Sequence, residues 1–196
     1  MKIISISGLD GSGKSTQLEL LKKDFESQGK KVFYFHAVNF SIANLLNKNK
    51  KAGANNGVTQ ASWIKILLRF LAMRIDIFRF KKLKKDLSSQ GYDFILSDRF
   101  FYDSVVNLAY LMTQKMPPGI EKSIPRSDIA FYLKTDPKSI MKRKRAPEQG
   151  FSYLESKNAL YDTCAPIWDM ITVDGNDSAE NIHEKIASYA IQGFNK

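Results

Sequence analysis

The sequence predicts a three-layer α/β domain in which helices cover both faces of a central five-stranded parallel sheet. Short apolar runs alternate along the chain with longer segments of helical character, and this alternation is typical of parallel sheets. The runs are mostly continuous rather than alternating in polarity, which indicates strands that are buried on both faces. The five predicted strands are residues 3–7, 32–35, 94–97, 129–133 and 171–173.

The first predicted strand leads directly into a glycine-rich loop. The loop matches the pattern of a glycine, four residues, and then glycine, lysine and a hydroxyl residue. Glycines let successive backbone N–H groups converge on phosphate oxygens, and the following helix presents its positive end to them. The residues predicted to bind nucleotide phosphates are Gly8, Asp10, Gly11, Ser12, Gly13, Lys14, Ser15 and Thr16.

Two side chains of this loop have distinct expected roles. Lys14 is expected to reach the β- and γ-phosphates, and the Ser15 hydroxyl is expected to ligate Mg²⁺. The flanking elements that the motif requires are present, because residues 17–23 continue it as an amphipathic helix. The alternative interpretation is a chance Gly/Ser turn before a helix. The motif predicts nucleotide binding, but GTPase switches, motor ATPases and small-molecule kinases all contain it.

Turn residues mark the bounds of the later predicted helices. Gly91 ends a long helical segment over residues 59–89, which contains neither glycine nor proline and is expected to form one extended helix or two continuous ones. Asp136 and Pro137 open another helix, with the aspartate at the cap and the proline at the first helical position. Residues 115–126 are rich in proline and glycine and are expected to form a mobile loop.

Composition limits the class of protein. The chain has 196 residues, of which 43% are hydrophobic and 26% charged, and this suits one globular domain over residues 1–196. No window approaches the roughly 18 apolar residues of a membrane span, and no signal peptide is recognised, so we expect a cytoplasmic protein without a membrane partner. The single cysteine, Cys164, is expected to pack in the core.

The formal net charge of +10 has two interpretations. One is a surface for nucleic acid or acidic membranes, and the other is a solvated face together with a pocket for polyphosphates. Much of the excess lies in residues 81–85 and 142–145. A nucleic-acid-associated ATPase is therefore a second hypothesis. The sequence lacks RNA-binding aromatic signatures, so nucleic acid is not the expected partner.

An acid, an arginine and an aromatic residue follow the third predicted strand. Asp98, Arg99 and Phe100 come directly after the apolar run 94–96, which places the charged pair at the carboxyl edge of the sheet, where α/β folds bind ligands. The arginine can grip a phosphate bidentately, and the aspartate can position a metal-bound water or an acceptor group. The alternative is a structural salt bridge at the end of the strand.

The glycine-rich loop, the triplet at residues 98–100 and the order of elements resemble the thymidylate kinase family of P-loop nucleoside monophosphate kinases. The resemblance covers nearly the whole chain. It implies a three-layer P-loop NTPase fold with a helical lid at residues 142–152, and transfer of the γ-phosphoryl group of ATP to dTMP with Mg²⁺. Nucleotides are thus the expected partners. A homodimer is a further expectation, because members of this family are commonly dimers.

The resemblance also implies roles for two residues of the long helix. In the family a phenylalanine and, four positions later, an arginine precede the triplet, and Phe70 and Arg74 have this spacing. The implied roles are base stacking and base recognition, for which a shared helix face is suitable. Asp10 is implied to line the acceptor side with Phe70. The alternative is a core phenylalanine next to a surface arginine.

The resemblance implies that four cationic side chains neutralise the charge of the phosphates. Lys14 and Arg99 are joined by two arginines of the predicted lid, of which Arg143 would stack on adenine and Arg145 would stabilise the transferring phosphoryl group. Arginines are suitable here because phosphoryl transfer builds charge on the equatorial oxygens. Asp98 would join Ser15 at the metal. The alternative for the lid cluster is a solvated helix end or a patch that contacts RNA.

Several acceptor-side positions depart from the family pattern. Ser7 stands where an acid usually precedes the loop, and residues 36–40 contain no arginine where the family typically has one for the acceptor phosphate. Met73 replaces a polar residue, and the usual Ala-Tyr-Gln is missing after the triplet. The donor side is intact. Another nucleotide or a small phosphorylated or hydroxylated metabolite therefore remains an alternative acceptor.

Overall fold

Five parallel strands form one sheet flanked by helices in the computed structural model, which describes residues 1–42, 63–112, 119–143 and 146–192. The elements are, in chain order, β1 (Lys2–Gly8), α1 (Lys14–Ser27), β2 (Val32–His36), α2 (Ala37–Phe40), α3 (Trp63–Ser89), β3 (Phe94–Asp98), α4 (Phe101–Leu111), α5 (Ile120–Ser123), β4 (Ile129–Lys134), α6 (Pro137–Met141), α7 (Phe151–Cys164), β5 (Ile171–Asp174) and α8 (Ala179–Gln192), with a 3₁₀ turn at Pro166–Trp168. Each strand lies within one residue of its predicted bounds.

The strand order β2-β3-β1-β4-β5 places β1 at the centre of the sheet. The register pairs Ile6 of β1 with Asp98 of β3, and Gly8 with Leu133 of β4. All pairs are parallel, so the carboxyl ends of the strands meet at one edge. This edge therefore brings the glycine-rich loop after β1 next to the triplet that begins at Asp98.

Two apolar cores lie on opposite faces of the sheet. On one face, α1 and α8 pack against β1, β4 and β5 through residues such as Leu18, Phe131 and Ile186. On the other, helices α3, α4 and α7 pack against residues such as Ile3 and Tyr132. Burying one large apolar side chain contributes roughly 1.5–3 kcal/mol, so these two layers of helices stabilise the sheet from both sides. The predicted three-layer architecture is confirmed.

The predicted helix ends agree with the structure where they are described. Helix α3 ends at Ser89, shortly before Gly91 with its left-handed φ of 74°. Asp136 caps α6 and accepts a hydrogen bond from the backbone N–H of Lys138, with Pro137 at the first helical position. The first four residues of the predicted long helix, 59–62, lie outside the described residues.

The expectation of a mobile loop at residues 115–126 needs correction. Residues 113–118 lie outside the described part of the chain, but residues 120–123 form the short helix α5. Ile120 and Ile124 on either end of this helix are buried in the core. These two apolar side chains anchor the segment. The prediction was wrong here because it rested on the proline and glycine content and did not take the two isoleucines into account.

Helix α3 has no membrane-spanning character despite its length of 27 residues. No helix in the described ranges is long and apolar enough to cross a membrane. Cys164 lies buried at the end of α7, as predicted, and burial raises the pKa of its thiol to about 11.

Candidate active site

The glycine-rich loop depends on glycine at its two ends. Gly8 has a φ of 148°, and a Cβ added to it would lie 2.6 Å from the carbonyl oxygen of Leu133 on the neighbouring strand. Gly13 has a φ of 109° and caps the N-terminus of α1. A side chain is excluded at both positions, by close approach at the first and by backbone conformation at the second. The predicted phosphate-binding loop therefore has the backbone that its sequence requires.

Lys14 is buried inside this loop. Its side chain is 5% exposed, and its Nζ donates hydrogen bonds to the Leu9 carbonyl (2.6 Å) and to Ser12 Oγ (3.5 Å). Burial lowers the pKa of Lys14, and the negative charge of Asp98 opposes that shift. The ammonium group is thus held among the groups predicted to bind phosphates. Thr16, the last residue of the motif, is exposed in the first turn of α1.

Ser15 and Asp98 meet across the two loops. Ser15 Oγ donates to Asp98 Oδ2 at 2.5 Å, and the Tyr34 hydroxyl donates to the same oxygen at 3.2 Å. Asp98 is 3% exposed, and its Oδ1 is buried with no hydrogen-bond partner among the described residues. A hydroxyl and a carboxylate with an uncommitted oxygen form a suitable donor set for Mg²⁺, which keeps several water or phosphate ligands of its own.

Tyr34 is a site residue that the sequence analysis missed. It lies on β2, where it was predicted only as part of a strand. Burial raises the pKa of the Tyr34 hydroxyl, and the adjacent Asp98 raises it further, so this hydroxyl remains a hydrogen-bond donor. Its position one strand away from Asp98 could not be inferred before the strand order was known.

Arg99 forms an ion pair with Asp10 of the glycine-rich loop. The distance between Arg99 Nη2 and Asp10 Oδ1 is 2.6 Å. The backbone of Arg99 has a φ of 57°, a conformation that costs a non-glycine residue on the order of 1–3 kcal/mol and is often found at functional sites. The strand-end salt bridge that was the alternative to a functional role is present, and its partner comes from the predicted phosphate loop.

Asp10 is held in its charged form. Burial raises the pKa of Asp10, but the positive charges of Lys157, Arg99 and Lys14 outweigh this effect and the pKa lies below its ordinary value. The Tyr153 hydroxyl donates to Asp10 Oδ2 at 3.2 Å. One oxygen of the carboxylate thus faces Arg99, and the other faces helix α7.

Lys157 of helix α7 is a second residue that the sequence analysis missed. It is 2% exposed, and its Nζ donates to Asn107 Oδ1 at 2.6 Å and to the Tyr153 hydroxyl at 3.1 Å. The helical spacing contains a signal for this burial, because Leu154, Lys157, Tyr161 and Cys164 recur at three or four residues and share the buried stripe of α7.

Asp103 supplies an acid next to the position where Ser7 departs from the family pattern. Ser7 Oγ donates to Asp103 Oδ2 at 2.6 Å, and the Tyr161 hydroxyl donates to Oδ1 at 2.6 Å. Burial raises the pKa of Asp103, although Lys14 and these hydrogen bonds act in the opposite direction. The carboxyl group that the chain lacks at residue 7 is therefore contributed from helix α4.

Arg143 contacts the glycine-rich loop and the loop after β5. Its guanidinium donates to the Gly11 carbonyl at 2.5 Å and to the Gly175 carbonyl at 3.3 Å. It therefore joins the loop after β1 to the loop after β5. Arg145 lies outside the described residues. The prediction of a helical lid at residues 142–152 needs correction for the described residues, because 142–143 and 146–150 form turns, a bend and irregular backbone and only 151–152 are helical, at the start of α7.

The predicted base-contacting pair lies on α3. Phe70 is half-buried and packs against the core cluster on that face of the sheet, whereas Arg74 is exposed. Met73, which departs from the family pattern, is buried between them. This arrangement agrees with the structural alternative for Phe70, and the base-reading roles remain predictions.

Comparison with known proteins identifies the family of this chain. A sequence model of the family described as thymidylate kinase matches residues 6–186. The chain belongs to the thymidylate kinase family. It is accordingly a nucleoside monophosphate kinase, a transferase of the class that phosphorylates dTMP with ATP.

Similar proteins come from distant organisms. A thymidylate kinase of Thermosipho africanus is 29% identical, with 94% of this chain and 95% of the relative covered, and a probable thymidylate kinase of Methanocaldococcus jannaschii is 26% identical, with 95% and 94% covered. The solved structure of a thymidylate kinase from Candida albicans superimposes with a TM-score of 0.68 at 20% identity, covering 99% of this chain and 92% of that chain. The Candida albicans enzyme therefore shares the fold over most of its length.

Proposed function

We propose that this chain transfers the γ-phosphoryl group of ATP to dTMP and releases ADP and dTDP. The observation that carries the proposal is the meeting of two motifs at one sheet edge. The phosphate-binding loop and the triplet are joined there by the Ser15–Asp98 hydrogen bond and the Arg99–Asp10 ion pair. A donor site and an acceptor-phosphate site are thus adjacent, as phosphoryl transfer requires.

The donor side has the groups that ATP needs. Backbone N–H groups of residues 8–16 would bind the phosphates, and Lys14 would leave its bonds to the loop carbonyl for the β- and γ-oxygens. Ser15 and Asp98 would hold Mg²⁺, which supplies charge neutralisation at the phosphates when bound. Arg143 lies between Gly11 and Gly175, in a place suitable for packing against adenine.

The acceptor side relies on Arg99 for the phosphate. Residues 36–40 contribute no arginine, and His36 instead caps α2 by accepting a hydrogen bond from the Asn39 N–H at 3.3 Å. Burial lowers the pKa of His36, despite the opposing charge of Asp98, so this ring is neutral near pH 7. Asp10 and Phe70 would line the acceptor pocket and Arg74 would read the base.

The remaining parts of the proposal concern the lid and the domain. We take residues 1–196 as a single kinase domain with its lid at about residues 142–152. Arg145 would stabilise the transferring phosphoryl group when the lid closes.

A cytoplasmic location is supported by the single buried cysteine, which is typical of compartments where disulfides are rare.

We also propose a homodimer that forms through helix α3. Six large apolar side chains are exposed by 46% or more at spacings of one, three or four residues, and they form a stripe along one face: Ile64, Leu67, Leu68, Leu71, Ile75 and Phe78. Contiguous apolar surface of this kind is typical of protein interfaces. Sedimentation equilibrium tests the dimer, and a monomer mass at tens of micromolar protein would overturn it.

The test of the proposed reaction is coupled ADP release with Mg-ATP and the acceptors dTMP, dUMP, UMP, CMP, AMP and GMP. We expect the fastest release with dTMP. The variant Lys14→Ala is expected to lose about 100-fold or more, because one group that stabilises the transition state is removed. Lys22→Ala is the matched control, since Lys22 is an exposed lysine of the same helix that pairs with Glu26. Release with none of the six acceptors, in a protein that binds ATP, would refute dTMP as substrate.

A further inference from the structure

We propose that Lys157 is a positioning residue of the acceptor site, which acts through Tyr153 to hold Asp10 as an oriented, ionised carboxylate opposite Arg99. The inference rests on the proposed function, because it takes Asp10 to face the acceptor. It extends that function by assigning a role to a buried lysine that no nucleotide-binding motif includes.

The contacts form a continuous chain from helix α4 to the phosphate-binding loop. Lys157 Nζ donates to Asn107 Oδ1 at 2.6 Å and to the Tyr153 hydroxyl at 3.1 Å. The Tyr153 hydroxyl in turn donates to Asp10 Oδ2 at 3.2 Å, and Asp10 Oδ1 pairs with Arg99 at 2.6 Å. Both oxygens of Asp10 are therefore engaged, one by the phosphate-gripping arginine and one by the chain that begins at Lys157.

A purely structural explanation does not account for a lysine at this position. Burying an ammonium group costs free energy unless it is paired. In the described part of the chain its hydrogen-bond partners are two neutral groups, and no carboxylate lies within ion-pair distance. Neighbouring positions of the same stripe, Leu154 and Cys164, are apolar, so an apolar residue would suit the packing. The charge therefore serves the site that it faces.

The charges around Lys157 show which group it acts on. Asp10 faces it from the loop after β1 and Asp103 from α4, while Arg99 and Lys14 add positive charge from the sheet edge and α1. Burial raises the pKa of Asp10, and the positive charges of Lys157, Arg99 and Lys14 together lower it. The hydrogen bond from the Tyr153 hydroxyl also lowers the pKa of Asp10. Lys157 is thus one of the three cations that keep Asp10 ionised.

The first test measures Asp10 directly and needs no acceptor. Aspartate labelled with ¹³C at Cγ is introduced, and Asp10→Asn identifies the Asp10 signal. In Lys157→Met the Asp10 signal is expected to titrate at higher pH than in the natural chain. Lys134→Met is the control, because Lys134 is half-exposed and pairs with Asp162 instead. An Asp10 titration that is the same in Lys157→Met and in the natural chain would overturn the proposal.

The second test separates positioning from general stability. Lys157→Met is expected to raise the acceptor KM about ten-fold or more, the scale of one lost charge-assisted hydrogen bond, with the ATP KM unchanged. Tyr153→Phe should act similarly, and the double variant should add little to either, because both residues act on Asp10 in series. Additive effects, or equal changes in the ATP KM, would contradict a role through Tyr153.

Two safeguards keep the outcomes distinct. Lys157→Gln retains a polar side chain and is used with the same readouts if Lys157→Met does not fold. If the natural chain phosphorylates none of the nucleotide panel, the proposed substrate fails, and the titration of Asp10 still decides the role of Lys157. If dTMP is phosphorylated and Asp10 titrates identically with and without Lys157, only the positioning role fails.

Discussion

The buried Lys157 makes the stability of the fold depend on pH. Burial lowers its pKa to about 8, despite the opposing charges of Asp10 and Asp103, from the ordinary 10.5. Below pH 8 the ammonium is charged in both states, and the cost of burying that charge is present in full. Between about 8 and 10.5 the folded protein has released this proton while the unfolded chain still holds it, so the free energy of unfolding rises with pH.

We therefore expect the natural chain to gain stability relative to Lys157→Met as the pH increases from 7.5 to 9.5. The gain is at most about 2 kcal/mol, since one pKa unit corresponds to about 1.4 kcal/mol. Urea unfolding of both proteins at the two pH values measures it, and the comparison cancels the titration of the other lysines. A stability difference that is constant with pH would show that Lys157 does not titrate in this range.

The site residues that the sequence predicted share one property, because each belongs to a local sequence motif. Lys14 and Ser15 follow from the spacing of the glycines, and Asp98 and Arg99 follow from their place after a strand. Lys157 belongs to no motif. A lysine in a helix is usually solvated, so only its place on the buried stripe of α7 distinguished it.

Asp103 was missed for a different reason. Its link to Ser7 spans two elements that are far apart in sequence, and the hydrogen bond exists only because α4 crosses the sheet beside β1. The sequence pattern alone does not reveal that α4 crosses the sheet beside β1. Position-by-position comparison with the family shows that Ser7 replaces an acid. The fold shows that the carboxyl group of Asp103, on α4, lies next to Ser7.

The loop after β5 is as tightly packed as the phosphate-binding loop. A Cβ added to Gly175 would overlap Thr135 Oγ1 and lie 3.1 and 3.2 Å from two side-chain carbons of Leu133. The Gly175 N–H also donates to the Lys134 carbonyl at 2.7 Å, so the backbone has little room to move. The carbonyl of the same residue accepts a hydrogen bond from Arg143, which connects the loop to the proposed adenine site.

We expect Gly175→Ala to lower the free energy of unfolding by about 1–3 kcal/mol, the usual cost of overpacking, and to raise the ATP KM. Urea unfolding and steady-state kinetics measure the two effects. Adding Thr135→Ala should recover part of the loss, because it removes the hydroxyl that the new methyl group meets. Gly29→Ala is the control: nothing lies within 4 Å of its added Cβ, and any loss of stability comes from its left-handed φ of 73°, so Thr135→Ala should not rescue it.

The strands were predicted well and the short helices less well, for physical reasons. Each strand is a run of apolar residues that only a two-sided sheet could bury, and this pattern has few alternatives. Helix α5 has only four residues between segments rich in proline and glycine. Its position depends on the contacts of Ile120 and Ile124 with a distant core, which no local pattern reveals.

The net charge of +10 is distributed between a site and a solvated surface. Lys81, Lys82, Lys84 and Lys85 are all exposed on α3, whereas Lys14 and Lys157 are buried at the sheet edge. Surface charges separated from a ligand by more than a Debye length, about 10 Å at 0.1 M salt, act on it only weakly. We expect the run on α3 to contribute to the overall field and not to the chemistry, because its lysines are exposed to screening by salt.

Replacing these four lysines by glutamine is expected to leave kcat and both KM values within about two-fold at 0.15 M salt, since screening removes most of their effect. Coupled ADP release measures this. Mobility-shift titration with single-stranded RNA accompanies it, and no salt-sensitive complex is expected. A complex that the four substitutions abolish would restore the hypothesis of a nucleic-acid-associated ATPase.

The central place of β1 has a consequence for the order in which the ribosome builds this enzyme. β1 is synthesised before β2, β3 and β4, yet its two neighbours are β3 and β4, and β4 ends only at residue 134. The nucleotide loop is therefore synthesised well before β4, the strand that completes its surroundings. A product that terminates before β4 leaves β1 with an open edge and without the wall that Leu133 gives to Gly8. We therefore expect a chain that ends before β4 not to bind nucleotide.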